Sequence, residues 1–165
     1  MFLDVRRSED LPPPIFKVAH MEVIKLVFTG VLPDLNIELN EAKRAITIGK
    51  GAGKRTIPGL LYSNHKKKWT EAIAWQCKEQ YKGDILSGPC AFVFDWYFPN
   101  TRKDPDNQYF AQKYVFDGLV MGKVLREDKY RNTKGGVLHL PNVDAGNPRL
   151  ELFIIPNFTF KNPVK

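Results

Sequence analysis

Only two cysteines, Cys77 and Cys90, occur in the 165 residues, and neither sits in a Cys-x-x-Cys pair or beside a histidine pair. A disulfide framework and a zinc site of the usual spacing are thereby excluded, and both read as buried thiols. The three histidines, His20, His65 and His139, stand singly, without the spacing of a metal site or a nucleophile relay. All three read first as structural or surface residues, and His65, inside a basic stretch, is also a candidate phosphate contact. Apolar runs extend over four or five residues at most, far short of the roughly 20 that cross a bilayer. Asp4, Arg6, Arg7, Glu9 and Asp10 stand where a secretion signal needs its apolar core, so a cytoplasmic location is expected. A phosphate loop is missing too. Gly49 to Thr56 reads GKGAGKRT, with three residues rather than four between its outer glycines and Arg55 where Ser or Thr would bind the metal. A calcium loop starting at Asp104 fails because Tyr109 replaces its required glycine and Val115 its closing glutamate.

What is present suits one domain with a real core, since 43% of residues are apolar and 12% aromatic. The 25 Lys and Arg exceed the 18 Asp and Glu, giving a net charge of +7 and pointing to an anionic partner. The excess is concentrated. Lys43, Arg44, Lys50, Lys54, Arg55, Lys66, Lys67 and Lys68 follow one another with no acidic residue between them. A phosphate-binding patch is the favoured reading; a solvated loop leading into a helix is the plain one.

Residues 1–20 are Pro-rich and charged and read as an extended leader, with a single domain over 21–165. Alternation over Glu22–Thr29 predicts a first strand, ended by Gly30 and Pro33. Leu35–Tyr62, broken by Gly49, Gly51, Gly53 and Pro58, reads as an irregular excursion. From Ser63, taken as N-cap, to about Tyr81, Trp69, Ile73 and Cys77 recur at helical spacing. Lys66–Lys68 then fall in the first turns, where cations oppose the helix dipole and an anion would compensate them. In Cys90–Phe98 one face carries Phe92, Phe94, Trp96 and Phe98, which predicts a central, buried strand. Asp104 as N-cap and Pro105 as first residue open a helix running to Gly122. Further strands are expected at Gly136–Leu140 and Arg149–Ile155, across a turn at Asp144–Pro148. The fold class is α+β, with a mixed or antiparallel sheet and two main helices.

On the helix from Pro105, Tyr109, Val115, Phe116, Leu119 and Val120 share one side. Asp106, Lys113 and Asp117 fall within about 40° of one another on a neighbouring side, with Asp104 at its head. Carboxylates so close in sequence suit a hard divalent cation such as Mg²⁺. Equally, Asp104 could cap the helix, Asp106 complement its dipole, and Lys113 with Asp117 form an i,i+4 pair.

The run Trp96-Tyr97-Phe98-Pro99-Asn100-Thr101-Arg102-Lys103-Asp104-Pro105-Asp106-Asn107, followed by Lys113, Phe116-Asp117-Gly118-Leu119 and Glu127-Asp128, resembles the RusA family of Holliday junction resolvases. It is similar to the longer phage-type pattern, with three extra residues between Asn107 and Lys113. Leu32-Pro33-Asp34-Leu35-Asn36 and Arg149-Leu150-Glu151-Leu152 are similar to the family's early element and closing strand.

The resemblance implies an intertwined RusA-like homodimer acting as a crossover junction endodeoxyribonuclease. Asp104, Asp106 and Asp128 would be its Mg²⁺ ligands (Mn²⁺ a possible substitute), Lys113 its essential lysine and Asp117 a supporting catalytic residue. Four-way and other branched DNA would be its partner, cut by paired symmetric nicks in recombination and repair, in a bacterial host cell carrying a phage or prophage. Arg102 and Lys103, flanking Asp104, join the basic stretch as candidate DNA contacts. A twofold dimer would present two identical sites to the two equivalent strands of a junction, and the aromatic face of Phe92–Phe98 could serve core or dimer contact. The rival expectations are a branched-DNA-binding protein without enzymatic activity, and a broader flap or fork nuclease.

Overall fold

A computed structural model describes residues 22–43, 45–48, 51–58 and 60–158. The expected leader, together with His20, Arg44 and Lys50, lies outside the described residues. The architecture is α+β. Its elements in chain order are β1 (Ile24–Thr29), α1 (Leu35–Lys43), β2 (Ala45–Ile48), β3 (Arg55–Pro58), α2 (Leu60–Gln80) and β4 (Cys90–Phe98), then α3 (Pro105–Tyr109), α4 (Gln112–Met121), α5 (Tyr130–Thr133), β5 (Gly136–Val143) and β6 (Arg149–Pro156).

Four strands form one mixed sheet in the order β1-β6-β4-β5, with β4 parallel to β5 and the other pairs antiparallel. The parallel pair follows from the connection, because α3, α4 and α5 carry the chain back across the sheet before β5 begins. β4 is central, as its alternation requires. Phe92 and Phe94 are fully buried, and the Phe116 ring of α4 packs edge-on against Phe92 with centroids 5.0 Å apart. Burial of side chains this size stabilises the fold by about 1.5–3 kcal/mol each. The aromatic face is therefore core within one chain, which removes it as a dimer contact.

Helix α2 lies over the same face and also guards an edge. The outward N–H of Val27 in β1 donates to Gln80 Oε1 (2.8 Å), while Gln80 Nε2 donates to the Val27 carbonyl (2.7 Å). Gln76 Oε1 accepts the Thr29 N–H. Two glutamines thus occupy backbone groups that an edge strand would otherwise offer to another chain.

Leu35–Tyr62 is not an irregular excursion. Asp34 is buried directly before α1, and its Oδ1 accepts the Ile37 N–H at 3.0 Å, which caps the helix by satisfying one of the amides its first turn leaves without a partner. β2 and β3 then pair antiparallel, Ile46 opposite Ile57, across a loop that includes a 3₁₀ turn at Gly51–Gly53. Gly51, with φ of 60°, supplies the left-handed backbone that such a turn needs. α2 begins at Leu60, so Ser63 lies inside it rather than capping it, and Lys66–Lys68 sit beyond the first turn.

The helix expected from Pro105 to Gly122 is two helices. Around Phe110 the backbone stays right-handed, but Lys113 N–H donates to the Phe110 carbonyl and Tyr114 N–H to Ala111, three residues back rather than four. That tightening changes the angular step, so Asp106 and Lys113 do not share the line that uninterrupted 100° steps would draw.

Candidate active site

Two glycines set the distance between α2 and α4. A Cβ on Gly118 would come within 2.4 Å of Ile73 Cγ2, and one on Gly122 within 2.7 Å of Cys77 Cβ. The helices are in contact over Ile73, Ala74 and Cys77 because those two positions of α4 carry no side chain. Cys77 is sealed by this packing, and burial pushes its thiol up to about 12, so it is chemically inert.

Beyond the tight contact the two helix faces open into a cavity of about 590 Å³. From α2 it receives Ser63, Lys66, Lys67 and Thr70, and from α4 Asp117, Val120 and Met121. The α2 residues recur at i, i+3, i+4 and i+7, which is one stripe of a helix. At its floor the Lys66 ammonium lies 2.8 Å from Asp117 Oδ2. The Asp117 carboxylate raises Lys66 above the usual lysine value; burial works against it, and the charges of Asp117, Tyr62 and Asp128 add to it.

Asp128 reaches this cavity from the loop after α4. That loop is held down at Leu86, whose N–H donates to the Val124 carbonyl and whose carbonyl accepts from Arg126 N–H (2.9 Å each) and from Asn132 Nδ2 (3.3 Å). Asn132 is fully buried, which fixes α5 against the same point. A second hollow, about 310 Å³, adjoins the first and is lined by Lys113, Phe116, Asp117, Asp128 and Thr133. Asp117 and Asp128 form part of both walls.

The sequence-derived site residues therefore fall into two groups. Lys113, Asp117 and Asp128 converge. Asp104 borders a different hollow, of about 260 Å³, with Asn100, Lys103, Gln108 and Asn142. Asp104 precedes α3 in extended conformation and makes no side-chain cap, although Pro105 opens that helix as expected. Asp106 is exposed in its first turn. Among the described residues, no three His, Cys, Asp or Glu side chains are grouped to hold a metal ion. As they stand within one chain, Asp104, Asp106 and Asp128 do not form a single ligand set for Mg²⁺.

The basic candidates also divide. Lys43, Lys54, Lys67, Lys68 and Arg102 are exposed, Lys67 with only a loose, solvated i,i+4 contact to Glu71 at 3.8 Å. Lys66 is engaged with Asp117, and Lys103 with the buried carboxylate of Asp34. Arg55 belongs to β3. Asp117 takes Lys66 as its partner instead of the i,i+4 Lys113. His139 and His65 are bound into the structure: Trp96 Nε1 donates to His139 Nδ1 at 2.9 Å and Trp69 Nε1 to His65 Nε2 at 3.0 Å. Tyr62, Thr70 and Met121 line the large cavity and are not among the sequence-derived candidates; the i, i+3, i+4, i+7 spacing of Ser63, Lys66, Lys67 and Thr70 is the signal that could have found Thr70. No protein-family model and no curated protein matches the chain.

Proposed function

We propose that this chain is a Mg²⁺-dependent, structure-specific endonuclease of the RusA type, which resolves Holliday junctions and related branched DNA by paired symmetric nicks as a homodimer. The observation that carries the reading is the convergence of Lys113, Asp117 and Asp128 on adjoining hollows beside the exposed lysines of α2. An exposed ammonium at Lys113 suits a phosphate in the smaller hollow and would offset charge that builds on it during attack. Lys67 and Lys68 would hold the flanking backbone by charge alone, positioning the strand without reading its sequence. The metal would supply an activated water when bound. Asp104 borders a different hollow from Asp128. The setting the resemblance implies, the cytoplasm of a bacterium carrying a phage or prophage, belongs to the same proposal.

The separation of the aspartates favours a second reading, a branched-DNA-binding protein that does not cut. One experiment decides. A four-way junction is labelled on each strand in turn and incubated with Mg²⁺, beside a linear duplex and the Asp106→Asn variant. Paired nicks in the junction alone, lost in the variant, are expected. Undiminished cutting by Asp106→Asn would remove that residue from the chemistry, and binding without any cut in Mg²⁺ or Mn²⁺ would establish the second reading.

A further inference from the structure

We propose that the cavity between α2 and α4 receives one unstacked nucleotide of the bound DNA strand, its base against Met121 and Val120 and its phosphate at Lys67. The inference rests on the branched-DNA reading above and adds to it a nucleotide subsite beside the hollow of Lys113.

The size is right. Pockets that enclose small organic ligands measure roughly 300–1,000 Å³, and this one is about 590 Å³. Its lining has the three parts a nucleotide has. Met121, 46% exposed, and Val120 offer an apolar wall for a base face. Met is unbranched and polarizable, suited to a planar ring of either size. Lys67 and Ser63 offer a cation and a hydroxyl at the open side for a phosphate. Thr70 borders the cavity at the base-edge position, only 6% exposed, and its Oγ1 is shielded from the open space and has no hydrogen-bond partner. A buried hydroxyl without a partner is costly, and a turn about its χ1 as a base enters would bring it to the base edge and satisfy it.

The position is right as well. Asp117 and Asp128 stand in the wall between this cavity and the hollow of Lys113, so a phosphodiester at that wall has a neighbouring nucleotide within reach of the cavity. Nucleotides at the centre of a four-way junction lack a continuous stack on one side, and enzymes that extract bases exploit such weakened stacking.

The test uses the full chain with Ca²⁺ in place of Mg²⁺ and junctions carrying 2-aminopurine at successive positions around the crossover. Its fluorescence reports unstacking, and binding is followed separately by gel shift. A several-fold rise at one position is expected with the unmodified protein. Met121→Trp, which fills the cavity from an exposed site, should abolish that rise while the junction still binds. Met121→Ser, which removes the apolar wall, should reduce it.

Normal binding with no rise at any position, or a rise unchanged in both variants, would overturn the subsite and leave the junction reading standing. Failure to bind branched DNA in preference to duplex would overturn both.

Discussion

Lys66 of α2 and Asp117 of α4 form an ion pair 2.8 Å long that joins the two helices at the floor of the candidate site. The pair is part-buried, with side-chain exposures of 37% and 25%, so it is neither a freely solvated surface contact nor a sealed one. Removal of either partner should destabilise the fold by about 1–2 kcal/mol, between the values for exposed and buried pairs. Lys66→Met, Asp117→Asn and the double variant form a cycle whose coupling, read from urea unfolding, should be about 1 kcal/mol; additivity would mean the pair is energetically idle.

The pair also sets a pH window. Asp117 raises the Lys66 value above 10.5. A group protonated more tightly in the folded state contributes stability that is fully present below its unfolded value and lost as pH rises through the folded one. As pH rises above 10.5, the unfolding midpoint should therefore fall more steeply for the unmodified chain than for Lys66→Met. Parallel curves would show that the lysine titrates alike in both states.

A similar argument with the opposite slope applies to His139. Trp96 Nε1 donates to its Nδ1, which requires that nitrogen to be unprotonated, and burial lowers its pKa below 6.5. The Tyr109 ring stacks on it at 4.4 Å. Stability from this group is full above the unfolded value and declines as pH falls from about 6.5 toward the lower folded value. The drop in melting temperature between pH 7.5 and 5 should be smaller in His139→Phe than in the unmodified protein, although the variant starts lower because Trp96 loses its acceptor. Equal drops would assign the acid sensitivity to carboxylates alone.

Much of the core was legible in the sequence, for reasons that differ by element. Cys90–Phe98 alternates so strictly that both ends of β4 could be read directly, and Val115, Phe116 and Leu119 declared the buried side of α4. The β2–β3 pair was hidden because four-residue strands around glycines carry too few periods to show. The break before α4 was hidden for another reason: Phe110 and Ala111 are ordinary helix residues whose backbone remains right-handed, and only the hydrogen-bond spacing changes. Lys113 and Asp117 could be placed together from their spacing. The partnership of Lys66 with Asp117 could not, since it depends on how closely Gly118 lets two helices approach.

That approach gives a sharp test of packing. Gly118→Ala places a methyl 2.4 Å from Ile73 Cγ2, with the Ala74 backbone nitrogen only 3.3 Å away, so the helices must separate. Overpacking of this kind costs about 1–3 kcal/mol. Ile73→Ala, destabilising by itself through its cavity, removes the Cγ2 clash but keeps the Cβ that stands 2.7 Å from the new methyl, so the double variant should be less unstable than the sum of the two single effects. A double variant as unstable as the sum of both would place the strain elsewhere.

The division of the lysines into engaged and exposed predicts how DNA binding responds to salt. Each phosphate neutralised by a side chain adds about 0.9 to the slope of log affinity against log salt on duplex arms. Lys67, whose contact with Glu71 is long at 3.8 Å and solvated, and Lys68 are exposed on α2 beside the site, so replacing both with alanine should reduce the slope by about 2. Lys103 is paired to Asp34, a carboxylate held low because Lys103 and the amides of Ile37 and Asn36 outweigh the opposing effect of burial. Its charge is already matched inside the fold. Lys103→Ala should therefore leave the salt slope within about 0.5 of the unmodified value while lowering thermal stability, since Asp34 loses a partner but keeps its place at the head of α1. A slope that falls by a full unit in Lys103→Ala would mean that DNA draws the lysine away from Asp34, and the cap on α1 would then be coupled to binding.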